Sequence, residues 1–228
     1  CRKTLNFVIY PPAPVISATA NTCASMFTLP SVPAIGGFSV EYSLDGGAWT
    51  TNPSTTTPGC HTIAARYVTE GCIAPPYNQV PAGEFSDGTI SACTAPSNTV
   101  SVVIFPTAPV LTAPSNTCNS AFTIPTVATV SGFTAQFSID GGTYTATPVA
   151  PVTPGCHTVS ARYVLTSACG LTAAGATGSG LCGVSNTVSV VIFPTAPVIT
   201  KPADRCNAAF TLPAVPAVAG FTVEYRID

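Results

Sequence analysis

The segment Pro58-Gly59-Cys60-His61-Thr62-Ile63-Ala64-Ala65-Arg66-Tyr67-Val68 returns almost unchanged as Pro154-Gly155-Cys156-His157-Thr158-Val159-Ser160-Ala161-Arg162-Tyr163-Val164, 96 positions later. A repeat this close signals a tandem array, and it constrains the fold more than any short motif does. Pro-Gly marks a turn. After it the residues alternate: His61, Ile63, Ala65 and Tyr67 fall on one face, and Cys60, Thr62, Ala64 and Arg66 on the other. Such alternation predicts a half-buried β-strand.

The same periodicity divides the whole chain. Residues 1–10 read as the last strand of a preceding repeat, because Val8-Ile9-Tyr10-Pro11 matches Val103-Ile104-Phe105-Pro106 and Val191-Ile192-Phe193-Pro194. Residues 11–105 and 106–193 read as two complete repeats, and residues 194–228 as the first strands of an incomplete third. Within a repeat, a Pro-punctuated segment leads into a first strand, A. Strand B is expected over 121–124, C over 133–140, F over 154–164 and G over 186–193 of the second copy. Asp45-Gly46-Gly47 and Asp140-Gly141-Gly142 are hairpin signals after C. About seven short strands in about 90 residues, with a turn and a ring-bearing residue opening F, is the pattern of an immunoglobulin-like β-sandwich. The fold class is therefore all-β, as tandem immunoglobulin-like domains. Junctions such as Phe105-Pro106-Thr107-Ala108-Pro109 favour an extended linker, and so a semi-rigid, disulfide-stapled rod. The F–G loop of one repeat is expected at the end that faces the preceding repeat, where it can brace the junction.

Composition narrows the function classes. Charged residues are 7% of the 228 and the net charge is −2, which excludes the clustered Lys and Arg of a nucleic-acid footprint. A surface this poor in charge resists lateral self-association only weakly. Twenty-three prolines disfavour long helices. The ten cysteines include no CxxC pair, so they read as disulfides of an oxidising, extracellular compartment rather than as zinc ligands. If B and F start at the same end of a sandwich, Cys23 pairs with Cys60 and Cys118 with Cys156. Cys72 with Cys93 and Cys169 with Cys182 then close the F–G loops. Cys1 and Cys206 await partners outside the chain. Four cysteines per repeat allow three connectivities, and this scheme is one of them.

No residue set points to catalysis. His61 and His157, the only histidines, lack a nucleophile and an orienting acid at matching spacing, and read as structural strand-start residues. Asp45 and Asp140 read as turn residues rather than calcium ligands, since calcium takes six or more oxygens. Glu70, Glu84 and Asp87 cluster only in the first F–G loop. Trp49 and Tyr144 occupy matching positions after the hairpin, where an aromatic either covers the core edge or stacks on a sugar. Arg66 faces outward opposite Glu41, and Arg162 opposite Gln136. No metal, cofactor or catalytic residue is expected.

The run Phe38-Ser39-Val40-Glu41-Tyr42-Ser43-Leu44-Asp45-Gly46-Gly47-Ala48-Trp49, followed by Pro58-Gly59-Cys60-His61-Thr62-Ile63, resembles the immunoglobulin-like repeats of very large Bacteroidota cell-surface proteins. These include gliding adhesins and filaments exported by type IX secretion. Cys-His stands here where those repeats carry Thr-Tyr. The resemblance implies an extracellular, cell-surface stalk of an adhesin or filament, and no catalytic residues. Its expected partners are neighbouring repeats of the same chain, other surface or secretion-system proteins, and glycans. The alternative is a glycan- or protein-binding module that uses the F–G loop or Trp49 and Tyr144.

Overall fold

A computed structural model describes residues 11–69, 95–166, 169–170 and 182–227. The described residues are all-β, without a helix, and carry two four-stranded sheets. They fall into two compact units. The first holds residues 11–69 and 95–107 together with 165–166 and 169–170; the second holds 108–164 and 182–227.

In the first unit the strands are β1 (Thr22–Cys23), β2 (Phe38–Leu44), β3 (Gly59–Thr69) and β4 (Val100–Phe105). The sheet order is β1-β4-β3-β2. In the second unit β5 (Thr117–Cys118), β6 (Phe133–Ile139), β7 (Gly155–Leu165) and β8 (Val188–Phe193) repeat it as β5-β8-β7-β6. β2 and β4 flank β3 antiparallel, while β1 lies parallel to β4 at the edge. The expected strands C, F and G are thus β2, β3 and β4, and β6, β7 and β8.

The alternation read in the sequence is the burial pattern of the central strand. His61, Ile63, Ala65 and Tyr67 are buried, and the residues between them are half-buried. Ile63 and Ala65 pack with Ile16, Phe27, Val102 and Ile104. Val159 and Ala161 pack likewise with Leu111, Phe122, Val190 and Ile192.

The expected strands A and B differ from the structure. Residues 11–20 and 121–124 form no ladder. The segments that carry Ile16, Phe27, Leu111 and Phe122 cover the sheet as extended chain, held by side chains instead. Asn98 Oδ1 accepts from Ile16 N–H at 2.9 Å, and its Nδ2 donates to Ile16 O at 2.8 Å. Asn186 does the same to Leu111. Ala65 N–H donates to Ser97 Oγ, and Ser97 N–H to Ala65 O. The Ser-Asn dipeptide therefore satisfies the backbone groups that a paired strand would have satisfied. Several prolines in these segments, such as Pro11, Pro12 and Pro14, lack the N–H that a ladder needs.

In residues 194–227 the local turns persist without a sheet. Phe221 N–H donates to Val218 O, and Tyr225 Oη–H to Pro213 O. No ladder includes 221–227, because a C strand needs an F strand beside it. The expected strand over 1–10 lies outside the described residues.

Candidate functional site

Each hairpin closes on a polar cluster that the sequence reading took as two separate features. Asp45 and Gly46 both have positive φ, 53° and 69°, and Gly47 N–H donates to Leu44 O at 2.9 Å. This is the twist-matched turn that favours Asp-Gly. The turn places the Asp45 carboxylate over the start of β3. Asp45 Oδ2 lies 2.8 Å from His61 Nδ1, and Oδ1 accepts from Thr62 N–H at 2.7 Å. His61 Nε2 lies 2.9 Å from Thr57 O. Asp140, His157, Thr158 and Thr153 repeat the cluster within 0.1 Å.

In the second copy the electrostatics are clear. The hydrogen bond to Asp140, the Thr153 carbonyl and the Asp140 charge raise the His157 pKa against the opposing effect of burial. Burial pushes the Asp140 carboxyl up, but hydrogen bonds from His157 and Thr158 and the His157 charge outweigh it and hold the carboxyl below its usual value. The Thr153 carbonyl and the Asp140 carboxylate are both acceptors, so the ring can donate to both at once only in its doubly protonated form. A phenylalanine covers each ring, Phe27 at 6.4 Å and Phe122 at 6.3 Å between centroids. The cluster staples the hairpin to the central strand, with no nucleophile between its members.

On the outer face of the sheet Arg66 meets Glu41, with Nη2 to Oε2 at 2.7 Å, as their register pairing dictates. Arg162 donates to Gln136 Oε1 at 2.9 Å. Each guanidinium also lies over the aromatic after the hairpin: Arg66 is 4.5 Å from the Trp49 ring, and Arg162 is 4.3 Å from the Tyr144 ring. One face of each ring is thus engaged by a cation of the same sheet. Among the described residues no group of three or more His, Cys, Asp or Glu is placed to hold a metal ion.

The cysteines follow a different scheme from the expected one. Cys60 is bonded to Cys169, across a sequence separation of 109, with Cα atoms 6.0 Å apart. Cys23 and Cys182 are each disulfide-bonded as well. Cys118 and Cys156 are exposed free thiols, as is Cys206. The expected pairs Cys23–Cys60, Cys118–Cys156 and Cys169–Cys182 are therefore corrected. The reason is strand order. Cys23 sits on β1, opposite Phe105 of β4, and Cys60 on β3, opposite Val103 of β4. One strand separates them, so their Cα atoms are about 10 Å or more apart, at about 4.8 Å per interstrand step. A disulfide spans less than about 7 Å. The expectation placed Cys23 just ahead of B, at the same end of the sandwich as Cys60, whereas it lies on the edge strand of the same sheet, two strands away. Cys118 and Cys156 face the same separation across β8. Cys1, Cys72 and Cys93, with Glu70, Glu84 and Asp87, lie outside the described residues.

No protein-family model matches this chain. No curated protein matches it either.

Proposed function

We propose that this chain is a structural segment of a long extracellular stalk. In this reading, tandem immunoglobulin-like β-sandwich repeats form a semi-rigid, disulfide-stapled rod. The rod projects the distal binding region of an adhesin or surface filament of the Bacteroidota type. The disulfides support an oxidising, extracellular setting. The sheet order, with β3 flanked by β2 and β4, supports the immunoglobulin-like reading, because C, F and G share a sheet in that fold.

One observation carries the proposal. The polar residues that recur between repeats are engaged internally: Asp45 with His61, Arg66 with Glu41 and Trp49, Asn98 with Ile16, and their counterparts. Recurrence without presentation is what a spacer needs, and it favours the stalk over the binding module. The test applies the oxidised chain to a broad glycan array and to host and bacterial cell surfaces, with Trp49→Ala as control. The stalk reading expects no saturable binding. Saturable binding lost in Trp49→Ala makes the repeat the adhesive unit and overturns it.

A further inference from the structure

Matching positions of the two repeats differ in one chemical respect. Cys23 and Cys60 are disulfide-bonded, while Cys118 and Cys156 are free and exposed. The strands around them are otherwise alike. Cys60 pairs in register with Val103 as Cys156 does with Val191, and Cys23 with Phe105 as Cys118 does with Phe193. Cys23 Sγ lies 3.8 Å from Pro106 O, and Cys118 Sγ 3.5 Å from Pro194 O. The Cys118 thiol is thus held where the bonded Cys23 sulfur is held.

The apolar surroundings change with the bond. Val103 and Phe105 are 0% and 1% exposed, whereas Val191 is half-buried and Phe193 is 46% exposed. The partner of Cys60 comes from the segment between F and G of the second repeat. Residues 165–166 and 169–170 of that segment belong to the first compact unit. The outer face of the G strand is thus buried in the repeat whose acceptor is bonded, and only partly covered, with Phe221 6.0 Å from Phe193 between ring centroids, in the repeat whose acceptor is free.

We propose that Cys156 is the covalent acceptor for the cysteine-bearing F–G loop of a further repeat of this kind, as Cys60 is for Cys169. The loop would bond Cys156 and cover Val191 and Phe193. Cys118 stands at the position of the bonded Cys23. The proposal rests on the array reading above and deepens it: each repeat is riveted by the loop of another. In the bond-forming step the thiols of Cys156 and the loop cysteine lose two electrons and two protons. Oxidised glutathione, or a disulfide of the same class, takes them up and leaves as two thiols.

The test uses the 228-residue chain in a glutathione redox buffer, with a synthetic peptide of residues 165–187 as the probe. A scrambled peptide with the same two cysteines is the control. Mixed disulfides are mapped by mass spectrometry without reduction. A Cys169→Ser variant, in which Cys60 lacks its partner, supplies the positive control. Capture at Cys60 in that variant shows that the free peptide finds its seat. The expected result is capture at Cys156 in the unsubstituted chain, about tenfold above the scrambled peptide, because docking raises the local thiol concentration. Capture at Cys60 in the variant without capture at Cys156 overturns the proposal. Equal labelling of Cys118, Cys156 and Cys206 by both peptides also overturns it, as does a native Cys118–Cys156 bond. None of these outcomes bears on glycan or cell binding, so failure here and failure of the stalk reading are distinguishable.

Discussion

Replacing Cys169 with Ser removes a single bond and tests the cross-link scheme at its root. Cys60 and Cys169 are 109 residues apart. A loop of that size constrains the unfolded chain by about 4.7 kcal/mol in the chain-entropy model. Much of the loop belongs to the second unit. While that unit stays folded, about fifty residues remain free to gain entropy, and the same relation gives about 4 kcal/mol. Small-domain stabilities are themselves about 5–15 kcal/mol, so the loss is large. Trp49 is the only tryptophan and lies in the first unit against Arg66. Its fluorescence therefore reports that unit alone. With a urea dependence of about 1.5 kcal/mol per molar, the Trp49 transition of Cys169→Ser moves down by about 2–3 M. Cys156→Ser, which removes an exposed free thiol, leaves the transition within about 0.5 kcal/mol of the parent. Equal midpoints for the two variants refute the reasoning. So does a peptide map that joins Cys60 to Cys23.

Other outcomes follow from the polar staples. With a raised His157 pKa, the folded state is stabilised fully below the unfolded value of about 6.5, and the gain is lost as pH rises through the folded pKa. With a lowered Asp140 pKa, the gain is present above about 3.8 and lost as pH falls through the folded pKa. Asp140→Asn therefore destabilises most between about pH 4 and 6.5, by about 1 kcal/mol given the half-exposed carboxylate. In proton NMR one of the two histidine signals, assigned to His157 by its loss in His157→Gln, titrates above 6.5, and it moves down in Asp140→Asn. Asn98→Ala strips both backbone partners from Ile16 and lowers stability by about 1–3 kcal/mol, read from Trp49 in urea. Tyr67→Phe, which frees the Pro33 carbonyl, costs about 1 kcal/mol by the same assay.

Strands C and F were legible because each carries an apolar alternation, with Phe38 and Ile63 on the inner face, and G because it is a short, nearly continuous apolar run, Val102-Val103-Ile104-Phe105, after Asn98-Thr99. The edge strand and the cysteine pairing were not. Thr22–Cys23 is two residues long, too short for any periodicity to show. Its parallel pairing with β4 decides the connectivity. The covering segments around Ile16 and Phe27 carry apolar residues, which suggested strands A and B. Proline-rich sequence and the Asn98 clamp replaced the ladder. The His–Asp staple was half legible: both residues were singled out, but only the turn geometry shows that Asp45 reaches across to His61. The signal was available in the recurrence of Asp before Gly-Gly together with His after Pro-Gly-Cys.

These corrections share one physical cause. A sandwich with two hydrogen-bonded sheets satisfies its backbone by strand pairing and needs few side-chain cross-links. Here the described residues of each unit show one sheet, and its cover is extended chain whose polar groups would otherwise stay unpaired at a cost of about 1–3 kcal/mol each when buried. The chain meets that demand with residues that bond backbone: Asn98 on Ile16, Ser97 on Ala65, Tyr67 on Pro33 and Asn21 on Val103. Their counterparts do the same in the second unit, where Asn186, Ser185, Tyr163 and Asn116 serve. Such clamps act within one repeat. They cannot hold one repeat to another, and a surface with 7% charged residues offers few ion pairs for that task. A disulfide is independent of surface charge and of a large interface, so a cysteine reaching from one repeat's loop to another's strand suits a low-charge array. The free Cys156, at the position that is bonded in the first repeat, is in this proposal the acceptor for the same bond.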